Sequence, residues 1–526
     1  MPNTLIQHLH ASQTGGEAIA SGGYGCVFSP AIKCQGDVVK VRDVDQPAGV
    51  SKLVEKSDLK DEIQVALEMY KTVKVIPNYS NYFLFPISHC SPGPVRLDDL
   101  IGFDAKCRKF SSSSVYNPVR VGPDTYQFPN DTRIINAPHG GEELQALIRA
   151  NRNNSAYVAF TLASLAELLV KAVGPMNALG VFHNDMKGEN LMVGRDGHLR
   201  IIDWGLGGKA SGSAIPSFVK GRPFQFNLPF SILLFDGAFP KNQCNAPLIE
   251  TVSSFVTSTM GIPLCFDTRT EGSDLEGPSH YKYVVGSFVP ALFECGSGAG
   301  ANLASTKDLV ARQTFTYVFL DYLLTIAKKF TKGSKLDLAR YFHDVYKRNA
   351  DVWGLVTTVI TFLKPISNQS NTLFGADSDR IRELVVKYLF SSTYAAQPIP
   401  IRELAGDMMN IASSIVKRLG KTKVARALPP PYAARLMAIL STKQPSPQPK
   451  AKAEAKAKVS PKPKPKPKAS PKSRGSKEGR CPAGHFRFLG ACRTSSGRAV
   501  KTRSSGKKRC PNGTRRNRKT GECEPK

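Results

Sequence analysis

A chain of 526 residues, 41% hydrophobic and 22% charged, is long enough for two or three domains, each with a core of its own. Its formal charge of +30 is segregated: from Lys443 onward there are 26 Lys and Arg against 4 Asp and Glu, so the preceding 442 residues carry only +8. That balance excludes a chain disordered throughout, and no apolar run reaches membrane-spanning length, since 157–174 is interrupted by Glu167 and Lys171 and 314–327 by Asp321.

The opening residues lack the cationic-then-apolar pattern of a secretory signal. Seven of the eleven cysteines are scattered through the first 442 residues without paired spacing, which fits a reducing compartment. The expectation is an intracellular, soluble protein with no membrane span.

In chain order, residues 15–90 predict an antiparallel sheet and one helix. A glycine turn at 21–25 leads into Cys26-Val27-Phe28, and 38–41 is a short β-rich run. Helical apolar spacing at Leu59, Ile63, Ala66, Leu67 and Tyr70 predicts a helix over 59–70. Residues 91–131, rich in Pro, Ser and Asp, read as a long loop insertion. Residues 155–179 predict a helix. The runs 191–193 and 199–202 flank Gly194-Arg195-Asp196-Gly197 and predict a hairpin, because Asp-Gly takes the positive φ angles of a tight turn. Helical segments follow to about residue 440.

The composition then changes abruptly. Residues 443–479 are almost entirely Lys, Pro, Ala and Ser, and predict a disordered linker with no apolar surface to offset the entropy of ordering. Beyond it stand two related units, Cys481-Pro482-Ala483-Gly484 to Cys492 and Cys510-Pro511-Asn512-Gly513 to Cys523. A tail this basic, with only Phe486 and Phe488 as aromatics, predicts nucleic acid as partner through phosphate-backbone attraction. With no Cys-x-x-Cys spacing, the four tail cysteines suit local disulfides or free thiols better than zinc.

The chemistry concentrates in His183-Asn184-Asp185-Met186-Lys187-Gly188-Glu189-Asn190, followed after the hairpin by Asp203-Trp204-Gly205. These segments strongly resemble the catalytic loop and metal-binding motif of eukaryotic-type serine/threonine protein kinases. Phosphoryl transfer needs positioning and charge neutralisation more than covalent help. The resemblance implies that Asp185 orients the substrate hydroxyl and accepts its proton, and that Lys187 neutralises the transferred phosphate. It further implies that Asn190 and Asp203 hold Mg²⁺.

Upstream, Ser21-Gly22-Gly23-Tyr24-Gly25-Cys26-Val27 resembles the glycine-rich loop, with Ala20 in place of the family's first glycine. Ser21, Gly22, Gly23, Gly25 and Val27 are thereby assigned to ATP. Lys40 in Asp37-Val38-Val39-Lys40-Val41 matches the strand lysine of that family, with Glu62 as its ion-pair partner and Glu68 as the alternative. Residues 134–141 resemble the hinge that joins the lobes and binds adenine. Residues 224–229 stand where the activation segment ends, and Asp351-Val352-Trp353-Gly354-Leu355 resembles the motif whose aspartate bonds to the catalytic-loop backbone.

The expected architecture is α+β, a bilobal protein-kinase-like fold. An N-terminal extension covers 1–14, the N-lobe 15–140 with its insertion at 91–131, and the C-lobe 141–440 with an insertion at about 235–345. The linker covers 441–479 and the Cys-containing repeat module 480–526. ATP and Mg²⁺ are the implied cofactors and a protein the implied substrate. The arrangement further resembles the divergent kinases of large DNA viruses, for which a virion location is open. Asn184 stands where the family has arginine; the same His-Asn-Asp occurs in small-molecule kinases of this fold, which together with a pseudokinase or a nucleic-acid-binding virion scaffold form the alternatives.

Overall fold

The structure, a computed structural model, describes residues 16–22, 25–42, 47–210, 214–220, 222–235, 283–284, 288–293, 306–333, 335–363 and 375–442, with the backbone of short strands at 485–488, 491–494, 514–516 and 523–525. Gly23, the linker and much of the 235–345 insertion lie outside the described residues.

The N-terminal part is built on a six-stranded antiparallel sheet. Strands β1 (Glu17–Gly22) and β2 (Gly25–Ser29) form the glycine hairpin, followed by β3 (Cys34–Lys40) and β4 (Val50–Glu55). Helix α1 (Lys56–Val73) follows directly, and β5 is Ser88–Pro92. With β9 (Thr132–Ala137) the strand order is β1-β2-β4-β9-β5-β3. Helix α1 begins three residues before the predicted start. Its buried stripe is Val65, Ala66, Met69 and Val73, in helical register with Glu62, so the carboxylate shares the face turned into the protein.

Residues 91–131 are folded where a loop was expected. Strands β6 (Val95–Arg96), β7 (Val119–Arg120) and β8 (Thr125–Gln127) form a small sheet in the order β6-β8-β7, with single-turn helices at Phe103–Lys106 and Arg108–Ser111. Buried Phe103, Phe110 and Phe128 pack on Ala18, Cys26, Phe28 and Ile134 of the main sheet. The polar composition hid this because a few apolar residues, chiefly Phe103, Phe110 and Phe128 with Val95, are spaced along a Ser/Pro-rich segment. The same cluster holds two disulfides, Cys26–Cys107 and Cys34–Cys90. Their partners are 81 and 56 residues apart, so spacing along the chain carried no trace of them: the folded insertion brings Cys107 to Cys26, and the pairing of β3 with β5 brings Cys34 to Cys90. Two disulfides run against the reducing compartment that the scattered cysteines predicted.

The C-terminal part starts with β10 (Glu142–Glu143), α2 (Leu144–Asn151) and α3 (Ser155–Leu168), the last continuing through a π turn to Ala178. The Asn154 side chain caps α3 by accepting from the Ala156 N–H. The helix is apolar all round because it is the central element: most of its residues are buried, and Phe160 stacks on Tyr432 with centroids 4.8 Å apart. Strand β11 (Val181–Phe182) leads into the loop 183–190. Strands β12 (Leu191–Val193) and β13 (Leu199–Ile201) form the predicted hairpin, with Gly197 at φ +76° in its turn. Strand β14 (Gly208–Lys209) returns to pair with β11.

Helix α4 (Thr306–Phe330) lies within the predicted insertion yet belongs to the core: Phe319 meets Phe230 at 4.6 Å and Tyr322 meets Trp353 at 5.7 Å. After it come α5 (Lys347–Thr357), α6 (Gly375–Leu389), α7 (Ile401–Leu419), α8 (Lys421–Ala427) and α9 (Pro430–Ser441). In the tail, His485–Phe488 pairs with Ala491–Thr494 and Thr514–Arg516 with Cys523–Pro525, one strand pair inside each repeat unit.

Candidate active site

The loop 183–190 is held from below by Asp351 on α5. Its Oδ2 accepts the His183 N–H at 3.0 Å and its Oδ1 the Asn184 N–H at 2.8 Å, while Asn177 Nδ2 donates to Oδ2 at 2.8 Å. Those bonds fix a backbone that passes through the left-handed region at Asn184 (φ 60°), which asparagine tolerates better than most residues. Two residues further along α5, Trp353 Nε1 donates to the Phe226 carbonyl at 3.4 Å. At Gly354 a Cβ would lie 2.1 Å from the Met186 carbonyl oxygen, so only glycine lets helix and loop approach this closely. The side chain of His183 is buried: Nε2 donates to the Ile202 carbonyl at 2.8 Å and Nδ1 accepts the Asp185 N–H at 3.3 Å.

Asp185 is thereby presented with each oxygen engaged. Lys187 Nζ and Asn190 Nδ2 both donate to Oδ2 at 2.9 Å, and Asn227 Nδ2 donates to Oδ1 at 2.9 Å. The Arg222 guanidinium lies 4.0 Å from Oδ1. Asn190 also donates to the Asp185 carbonyl at 2.7 Å, and its own carbonyl accepts from Ile202, which ties the loop to the segment carrying Asp203. Neither Asn227 nor Arg222 was anticipated. Within 224–229, expected to end the activation segment, the residue that reaches the loop is Asn227.

The strand lysine is Lys52, and the expectation for Lys40 is corrected. Lys52 Nζ donates to Glu62 Oε1 at 2.6 Å and to Asp203 Oδ1 at 3.2 Å. Lys40 ends β3, whose backbone pairs with β5 at the far edge of the sheet, and its side chain is exposed. Two strands, β5 and β9, separate β3 from β4. The Val-Val-Lys run looks right locally because an exposed edge strand and a strand beside a site share the same β-branched alternation. The available signal was position: Val50-Ser51-Lys52-Leu53 runs straight into α1, which carries Glu62. Glu68 is exposed and does not face this ammonium.

The electrostatics of this triad are strongly linked. Burial alone would pull the Lys52 ammonium down, but Asp203 and Glu62 outweigh it and hold it above its ordinary value. Lys52 in turn holds the Asp203 carboxyl below the usual carboxylate range, so Asp203 is a permanent anion at neutral pH. Burial pushes the Glu62 carboxyl up, against the opposing pull of Lys52.

The glycine hairpin lies beside this triad. Val27 is the cross-strand partner of Lys52, and a Cβ on Gly25 would meet the Leu53 carbonyl oxygen at 2.5 Å and the Lys52 side chain at 3.1 Å. Ser21 and Gly22 pair with Cys26 and Gly25 across the same hairpin. Asp203 itself sits at φ 60°, and the indole of Trp204 behind it stacks on Phe85 at 4.7 Å while its Nε1 donates to the Leu84 carbonyl at 2.9 Å. Asp203 is an ionised hard-oxygen donor, the type that divalent magnesium takes. Asn190 is the neutral oxygen donor beside it in the same loop system.

An antiparallel sheet whose Lys52 pairs with Glu62 of the following helix, joined to a helical part whose loops present Asp185 and Asp203, defines a kinase-like α+β fold. Residues 123–224 match the protein kinase domain family. Over 85 residues the chain is 35% identical to the serine/threonine-protein kinase WAG1 of Arabidopsis thaliana, covering 16% of this chain and 17% of the relative. Over 76 residues it is 32% identical to the putative cyclin-dependent kinase F-2 of Oryza sativa subsp. japonica, covering 14% and 23%. The chain thus spans less than a quarter of the length of either relative.

Proposed function

We propose that this protein is an ATP- and Mg²⁺-dependent kinase that transfers the γ-phosphate to Ser or Thr hydroxyls of protein substrates. The observation that carries the reading is the Lys52–Glu62–Asp203 triad assembled beside the glycine hairpin, with Asp185 oriented by four neighbours a short chain segment away. Magnesium bound by Asp203 and Asn190 would supply neutralisation of the phosphate oxygens. Lys52, kept positive by two carboxylates, suits a grip on the α- and β-phosphates, and Ser21, Gly22, Gly25 and Val27 suit the cover above them. Asp185 is placed to accept the hydroxyl proton, and Lys187 to meet charge on the transferred group. Lys187 against Asp185 also favours a serine/threonine over a small-molecule kinase.

The tail acts, in this reading, as an electrostatic tether to nucleic acid, its +22 segregated from the rest of the chain. Kinship with the kinases of large DNA viruses fits the same pattern of divergent kinase and basic tail.

The test is direct. The purified protein, labelled ATP and Mg²⁺ are incubated with a panel of basic and acidic proteins, and the labelled residues are identified. Phosphoserine or phosphothreonine forms with the wild type, while Asp203→Asn and Asp185→Asn lose transfer but keep their fold. Transfer at the wild-type rate by a variant with both changes overturns the assignment.

A further inference from the structure

The folded insertion at 91–131 reaches the start of α1. Lys109, on the single-turn helix Arg108–Ser111, places its ammonium 3.2 Å from Glu55 Oε1 and 3.6 Å from Asp58 Oδ2. The Tyr116 hydroxyl donates to Glu55 Oε2 at 3.0 Å. Both carboxylates are buried. Glu55 ends β4 and is the N-cap of α1, and Asp58 lies in the first turn, so these contacts grip the point where strand becomes helix. The lysine is anchored in turn. Phe110 beside it is buried against the main sheet, and Cys107, two residues before it, is joined to Cys26 of β2. Asp58 precedes Glu62 by one helical turn on the same face, and its charge adds to the push on the Glu62 carboxyl.

We propose that Lys109 is a positioning residue for the Lys52–Glu62 pair: by holding Glu55 and Asp58, the insertion sets the start of α1 and with it the reach of Glu62 toward Lys52. Helix α1 follows β4 with no loop between them, so its first turn decides where its axis runs. Glu62 stands four residues beyond Asp58, about 6 Å along that axis. A shift of about 1 Å away from Lys52 stretches the 2.6 Å contact beyond hydrogen-bond range. Taking the Lys109 ammonium away leaves two buried carboxylates with less compensation, and a swing of the first turn toward water relieves them. Phosphoryl transfer needs the Lys–Glu pair in place, so the consequence for activity rests on the kinase reading; the grip on α1 does not. The neighbouring pair of Lys106 with Glu17 of β1, at 3.6 Å, is exposed and does not involve α1, which makes it the natural reference.

The experiment compares full-length wild type, Lys109→Ala, Lys109→Arg and Lys106→Ala in buffer without reductant. Lys109→Ala is expected to lower kcat/KM for ATP about tenfold, as a coupling between two sites typically does. Lys109→Arg retains most of the activity, and Lys106→Ala matches wild type. Glu62→Gln brings a larger loss, and adding Lys109→Ala to it lowers the rate no further, because the lysine acts through Glu62. Hydrogen exchange without nucleotide reports on the helix itself: amides of residues 56–65 exchange faster in Lys109→Ala, while those of α3 stay as in wild type. Wild-type kcat/KM in Lys109→Ala overturns the proposal. So do losses that simply add in the double variant, an equal loss in Lys106→Ala, or faster exchange spread over the whole fold. A wild type that transfers no phosphate overturns the kinase reading instead, and exchange in α1 then decides alone whether Lys109 sets the helix.

Discussion

Asn227 donates its amide to Asp185 Oδ1 at 2.9 Å and to the Met186 carbonyl at 3.2 Å, so one side chain 42 residues downstream of Asp185 fixes both the carboxylate and its loop. Asn227→Ala removes both contacts and leaves the Asp185 carboxylate held on the Oδ2 side by Lys187 and Asn190 with its Oδ1 hydrogen bond lost. Misplacement on the scale of an ångström costs roughly 100-fold in rate, so kcat on a peptide substrate falls by about that factor while the KM for ATP stays put. Asn227→Asp, which sets a second anion against Asp185, falls further. Steady-state kinetics of the two variants check this.

Lys52 and Lys40 separate cleanly by substitution. Lys52→Met leaves the half-buried Glu62 and Asp203 carboxylates close together with no cation between them, and abolishes transfer. Lys40→Met, on the exposed edge strand, leaves kcat and the KM for ATP within about twofold of wild type, as surface changes usually do. The reverse ranking would return the strand-lysine role to β3.

The triad also dictates how stability responds to acid in magnesium-free buffer. Asp203 has a folded-state pKa below its ordinary 3.8, so its contribution is complete above that value and is lost as pH falls through the lower, folded-state value. The Lys52 pKa is raised, so its share is present throughout this range and disappears only on the alkaline side. Without Lys52 the Asp203 and Glu62 carboxyls take up protons more readily, so the stability gap between wild type and Lys52→Met narrows as the pH falls through the carboxylate range. Urea unfolding at a series of pH values measures it; a gap that widens in acid contradicts the ion-pair account.

A chain ended at residue 442 keeps α9 and loses the basic tail. It is expected to phosphorylate a short peptide at the full-length rate and to lose duplex-DNA binding, whose log–log salt slope in the full chain is about −0.9 per phosphate neutralised. Unchanged DNA affinity after truncation would place the binding surface on the folded part. Lost peptide activity in a folded truncation would assign the tail a regulatory role.

That Asp185, Lys187, Asn190 and Asp203 gather in one place was legible because they lie on two short loops joined by a tight hairpin, so local chain geometry brings them together. Asp351 was legible for the same reason, its motif being local to one helix turn. Lys52 was not, because β3 intervenes between the glycine hairpin and β4 and offers a decoy lysine in a β-rich run. Glu62 could be picked out from the helix that carries it even though its partner was misassigned. Asn227 depends on a tertiary approach across 42 residues, made possible by the absence of a side chain at Gly354, and a glycine in a helix does not announce what passes over it. The folded insertion was missed because its three phenylalanines form a core only after they meet the sheet.

Helix α3 is covered by chain that is made much later. Phe160 packs on Tyr432, and α7, its most extensive neighbour, spans Ile401–Leu419, more than two hundred residues downstream of Ala178. At roughly 5–20 residues per second, a ribosome takes on the order of 10 to 40 seconds to deliver that cover. For that interval a 24-residue stretch, with an 18-residue window of mean hydropathy 1.6, lacks the later chain that covers it in the folded protein. Production of the folded protein thus depends on what shields this stretch on the nascent chain, and slowing translation between residues 178 and 401 should favour aggregation over folding.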